Sequence, residues 1–94
     1  MKSIISNERK CLICGREYGL HKHHIFYGTA NRKKSEEDGC FCWLCAKHHN
    51  MSNYGVHSEK KLDIALKQHA QRLWQEHYNK TKEDFIARYG RSYL

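Results

Sequence analysis

Two close pairs of soft donors stand out in this chain: Cys11-Leu12-Ile13-Cys14, closed by Gly15, and Cys45-Ala46-Lys47-His48. Thiolates and imidazoles in two such pairs, brought together by folding, are the donors a tetrahedral structural zinc ion takes. Gly15 suits the turn after the first pair, because glycine accepts backbone conformations that other residues resist. The second pair is ambiguous, since Cys42-Trp43-Leu44-Cys45 would complete a four-cysteine site instead. Side chains alternate along a strand, so Cys42 and Cys45 diverge if the strand runs through to Cys45. Cys45 and His48, where a strand gives way to a turn or helix, can turn to one side. The expected ligands are therefore Cys11, Cys14, Cys45 and His48, with Cys40 and Cys42 as small buried hydrophobes.

Histidines left over from that site form a second constellation: the adjacent pair His23-His24, then His49 and His57. Neighbours on a strand send their rings to opposite faces, so one can hold a metal while the other does different work. An imidazole with an ordinary pKa near 6.5 can take up a proton at neutral pH. His21, His69 and His77 read as ordinary surface or core residues.

These groups need elements to position them. The runs 20–26 (LHKHHIF) and 40–44 (CFCWL), bounded by glycines, predict two short strands. Between them, residues 28–39 read as a polar loop carrying Arg32-Lys33-Lys34 and then Glu36-Glu37-Asp38, the latter a further source of acidic ligands. Trp43 and Tyr27 are expected to fill the core. From Ser58, a plausible N-cap, the period changes: Leu62, Ala65 or Leu66, His69, Ala70, Leu73 and His77 mark one helix face to about Tyr78. A second helix is expected from Thr81, where Asp84 stands in for the usual Glu or Gln of a capping box, to Gly90. Phe85, Ile86 and Tyr89 would pack it on the longer helix. The expectation is an α+β fold: a loose arm over 1–10, a zinc-stapled core over 11–57, and a helical hairpin over 58–94 extending the same domain.

With 94 residues, 39% of them apolar, and a mean hydropathy of −0.91, the chain can build only a thin core. Domains of that size usually need a staple. Five cysteines, an odd number, argue against a closed disulfide framework and for reduced, metal-binding thiols, hence a cytoplasmic protein. The start, MKSIISNERK, has no secretory apolar run, and no stretch is apolar enough to span a membrane. The net charge of +7 is uneven: +6 over 1–34, −2 over 35–57 and +3 over 58–94. Such a balance favours a polyanionic partner, since each phosphate neutralised releases counterions.

The series Cys-x-x-Cys, His-His-Ile, Leu-Cys-x-x-His-His and Gly-Val-His resembles the zinc-bearing HNH (ββα-metal) endonucleases over residues 11–57, and is most similar to the small HNH proteins of bacteriophages. Those share a loop like Gly28-Thr29-Ala30-Asn31-Arg32 after the histidine pair. The resemblance implies a strand–strand–helix core holding one catalytic divalent cation (Mg²⁺, Mn²⁺, Ni²⁺ or Zn²⁺) besides the structural zinc. It assigns His23 and His49 as metal ligands, His24 as general base, and His57 as a ligand of the metal or the scissile phosphate. The implied reaction is hydrolysis of DNA to 5′-phosphate and 3′-hydroxyl ends, by a nuclease or nickase. The family's middle asparagine has two candidates, Asn31 and Asn50. His49 and His57 are eight apart rather than four, roughly 12 Å on a continuous helix, so the chain must break over 50–55. Lys22, Arg32, Lys33 and Lys34 flank the histidines as phosphate contacts, with Arg16 and Lys47 as helpers. A zinc-finger DNA-binding or adaptor module of the same fold is the alternative. The aromatic C-terminal hairpin could support a homodimer, or a phage recombination or packaging partner.

Overall fold

Both expected strands form in the computed structural model, which describes residues 2–49 and 60–94. β1 (Leu20–His24) and β2 (Phe41–Cys45) pair antiparallel, with Lys22 opposite Trp43, His23 opposite Cys42 and His24 opposite Phe41. Opposed residues share a face. One face therefore carries Lys22, His24, Phe41 and Trp43, and the other His21, His23, Cys42 and Leu44. Cys42 and Leu44 are fully buried in the hydrophobic core, whereas Phe41 and Trp43 stand outside that cluster. Trp43, expected inside, is on the outer face because of this register. Tyr27 is also not a core residue, at 41% exposure.

The connection between the strands is α1 (Thr29–Asp38) and not the expected loop. Ala30, Arg32, Lys33, Lys34, Glu36 and Glu37 are good helix formers, but no apolar stripe runs through them. Polar contacts anchor α1 instead. Its single buried residue, Ser35, donates to Phe26 O (2.6 Å) and accepts from Phe26 N (3.1 Å). Gly39 ends it with φ 80°, and a Cβ there would lie 2.6 Å from Lys2 O. The amino-terminal arm is tied down against this turn, contrary to expectation: Ile4 N donates to Gly39 O (2.9 Å) and the Ser3 hydroxyl to Phe41 O.

α2 (Ala46–His49) follows β2 directly, and α3 (Lys60–Tyr78) and α4 (Lys82–Tyr89) form the helical hairpin. The residues of α3 that are buried are Asp63, Leu66, Lys67, Ala70, Gln71 and Trp74, so its inner face is centred on 66, 70 and 74, while His69 and His77 are exposed. The capping box of α4 is formed: Thr81 Oγ1 accepts from Asp84 N (3.1 Å), and Asp84 Oδ2 accepts from Thr81 N (3.0 Å). Gly90, at φ 96°, closes the helix. Ile86, expected to pack inward, is 38% exposed, and Phe85 and Tyr89 do the packing. Phe26, just after β1, meets Phe85 (ring centroids 5.1 Å), Tyr89 (4.6 Å) and Tyr93 (5.6 Å), so one core joins the strands to the hairpin.

Asp38, the last residue of α1, locks these parts together. Its carboxylate accepts from Trp74 Nε1 (2.9 Å), Arg88 Nε and Nη2 (both 2.8 Å) and the Tyr89 hydroxyl (2.7 Å). Glu37 pairs with Arg88 (3.2 Å), so neither acid is left as a metal ligand. Among the described residues no helix is long and apolar enough to cross a membrane.

Candidate metal centre and histidine cleft

The turn at residues 11–16 is held by Cys11 N donating to Arg16 O and Gly15 N donating to Cys11 O, both 2.8 Å, with Gly15 at φ 79°. Leu12 N donates to Trp43 O (2.9 Å), which moors the turn to β2. Cys45 ends β2, and α2 brings His48 back over it. The four expected ligand atoms lie within 4.8 Å of one another, the one such group of three or more among the described residues. Cys14 Sγ is 3.7 Å from Cys45 Sγ, and His48 Nδ1 is 3.6 Å from Cys11 Sγ and 3.2 Å from Cys45 Sγ. A tetrahedron with metal–sulfur bonds of about 2.3 Å and a metal–nitrogen bond of about 2.0 Å has edges of roughly 3.5–3.8 Å. The cluster thus has the donors and the spacing for a metal ion such as zinc. Cys42 points to the opposite face of β2 and takes no part.

Thiol chemistry separates Cys11 from the two cysteines outside the cluster. Burial disfavours the Cys11 thiolate, but backbone hydrogen bonds at Cys45, Cys14 and Ile13 outweigh it and lower the thiol to about 6. A thiol poised there is a ready metal ligand. Burial pushes Cys40 and Cys42 up to about 12, so both remain neutral, inert packing groups.

His49 follows His48 on α2, so the donor cluster also positions the histidine beside it. The His49 ring meets buried His23 (centroids 5.3 Å) and His21 (5.1 Å), with the His21 and His49 Nδ1 atoms 3.0 Å apart. His21 was expected to be an ordinary residue. Its position two before His23 on a strand, and so on the same face, is the signal that finds it.

His24 lies on the other face, its side chain 13% exposed, with Nε2 3.7 Å from Glu36 Oε1. Burial lowers its pKa below the usual histidine value; Arg32 and Lys22 add to this, and Glu36 opposes it. The imidazole is thus neutral, and able to accept a proton, at neutral pH. Glu36 itself is held below the usual carboxylate range, first by its hydrogen bond from Lys22. Despite their opposite faces, His23 and His24 reach one cleft of about 230 Å³, lined also by Lys22, Tyr27, Arg32 and His49. An adjoining depression of about 380 Å³ runs along α1 past His24, Thr29, Arg32, Lys33 and Glu36.

Two expected residues fall elsewhere. Asn31 Nδ2 donates to Tyr89 O (3.1 Å), so it braces α1 on the hairpin and does not orient His24; Glu36 is the polar side chain there. Lys34 Nζ donates to Arg88 O (2.7 Å), turned from the cleft because a helix sends residue 34 away from residues 32 and 36. Lys22 lines the cleft and is paired with Glu36 (2.9 Å). His57 and Asn50 lie outside the described residues. Tyr27, which donates its hydroxyl to Asp63 (3.0 Å), lines the cleft, and Glu36 lines the depression beside it; no sequence period marks either.

Comparison with known proteins adds nothing to this geometry: no family model, no curated protein and no solved structure matches the chain.

Proposed function

We propose that this chain is a metal-dependent DNA endonuclease or nickase of the HNH (ββα-metal) type, with a structural zinc at Cys11, Cys14, Cys45 and His48. The observation that carries the reading is the shared cleft, in which His23, His24 and His49 meet Arg32 and Lys22. A neutral, buried-shifted imidazole, two further imidazoles and a cationic rim are what phosphodiester hydrolysis needs in one place.

His24 accepts a proton from the attacking water, and Glu36, 3.7 Å away, stabilises the imidazolium that results. Arg32 and Lys33 hold phosphates of the strand along α1, and Lys22 guards the rim between cleft and outer face. The imidazoles of His23 and His49 suit a borderline divalent cation. With His57 they would hold it. Such an ion supplies charge neutralisation at the phosphate and the departing oxygen.

The test is incubation of the zinc-loaded protein with supercoiled plasmid and Mg²⁺, Mn²⁺ or Ni²⁺, beside His24→Ala. Positioned base catalysis contributes about 10²–10⁴-fold, so the variant should fall by at least that lower factor while binding plasmid equally. Equal cutting by both proteins removes His24 from the mechanism. Binding by both without cutting leaves the adaptor module as the function.

A further inference from the structure

The outer face of the β1–β2 pair carries a further cavity. Phe41 and Trp43 form its floor, and the arm of residues 2–9, moored through Ile4 to Gly39 and Ser3 to Phe41, forms its roof. The arm leaves a space of about 450 Å³ above the rings. Cations surround it. The Arg9 guanidinium lies 4.7 Å from the Trp43 ring centre, and Lys22 Nζ 4.2 Å from that of Phe41, with Lys2 at the edge. Glu8, the one carboxylate in the lining, is engaged by Lys10 (2.8 Å). Ser6 and Asn7 add small donors and acceptors.

This chemistry selects its ligand. An apolar guest would strip water from Arg9 and Lys2, and a bare anion would leave the Trp43 ring unused once Arg9 turned to it. A nucleotide satisfies both: its base stacks on Trp43, the less buried of the two floor rings, while its phosphate meets Arg9 and Lys2. The Arg9 guanidinium now on Trp43 then moves from ring to phosphate. A base inside a duplex is stacked on both faces and cannot enter, so the guest must be unpaired. Lys22 lines both this cavity and the histidine cleft, so the two adjoin.

We propose that the arm and the Phe41–Trp43 face form a pocket for an unpaired nucleotide next to the scissile phosphate, making the substrate DNA with a single-stranded element. The word scissile rests on the nuclease reading; the pocket does not.

The test uses His24→Ala protein, zinc-loaded, with fluorescein-labelled dT15 and a 15-base-pair duplex, read by anisotropy. The dT15 strand should bind at least about tenfold more tightly than the duplex, since one stacked base is worth that much. Arg9→Gln, on the exposed arm, and Trp43→Leu should remove most of that preference by weakening dT15 binding while duplex binding changes by less than about twofold. If Trp43→Leu fails to fold, Arg9→Gln decides alone. Equal affinity for the two probes, or an equal loss on both in Arg9→Gln, overturns the pocket. Plasmid cutting by the wild-type chain alongside equal probe affinities defeats the pocket and spares the nuclease. A strand preference that depends on Arg9, with no cutting under any metal, defeats the nuclease and spares the pocket.

Discussion

Removing the carboxylate of Asp38 should cost this protein a large part of its stability without touching either site. That carboxylate accepts four hydrogen bonds, from Trp74, twice from Arg88, and from Tyr89, at 2.7–2.9 Å. Asp38→Ala leaves the Trp74 indole N–H short of its acceptor and reduces Arg88 and Tyr89 to their longer contacts with Glu37 and Lys34 O (both 3.2 Å), at a site where the Asp38 side chain was 14% exposed. Arg88 is a third exposed and keeps Glu37, so the loss is that of hydrogen bonds to a charged group, about 1.5–3 kcal/mol. At roughly 4–8 °C per kcal/mol for a domain of this size, the melting temperature should fall by about 6–24 °C. The wild-type curve should also weaken in acid. Burial opposes ionisation of Asp38, but Arg88, Tyr89 and Trp74 overcome it and hold the group below its ordinary value. Its contribution is therefore complete above the ordinary carboxylate range and is lost as pH falls through the depressed value. Near-UV circular dichroism of zinc-loaded wild type and Asp38→Ala, melted from pH 7 down to pH 3, reads both effects. A melting temperature within about 3 °C of wild type at pH 7, or parallel acid limbs, would refute the assignment of Asp38 as the lock between α1 and the hairpin.

Two other consequences can be measured. A structural zinc in a small domain contributes about 10–16 kcal/mol, comparable with or above the whole stability of such a fold; chelation, or Cys45→Ser, should therefore abolish the near-UV signal, and a signal that survives proven metal loss would discard the metal centre. Because burial lowers the His24 pKa and Glu36 opposes that shift, the acidic limb of plasmid cutting should lie below about pH 6.5 and move lower still in Glu36→Gln; a limb that moves upward would contradict the His24–Glu36 relation.

Local spacing carried much of this protein openly. The Cys-x-x-Cys turn, the Cys-x-x-His pair and the Thr81–Asp84 capping box are each made by residues within a few positions of one another, so their chemistry is written into short runs. Alternation along a strand was enough to separate Cys42 from Cys45 and His23 from His24. The long helix was legible from its period, although its inner face is centred on Leu66, Ala70 and Trp74 and includes polar Asp63, Lys67 and Gln71, which hydropathy alone places outside.

Other features required partners from distant parts of the chain. α1 has no apolar stripe, and its place depends on Ser35 meeting Phe26, Asn31 meeting Tyr89 and Asp38 meeting Trp74, none of them local. Glu36 reaches His24 only because that helix lies across β1, and Trp43 faces outward only because Lys22 is its partner in the register. A sequence can state which donors and periods it owns, because those are properties of neighbouring residues. Which face is covered, and by what, is a property of packing between elements, and tertiary structure alone decides it.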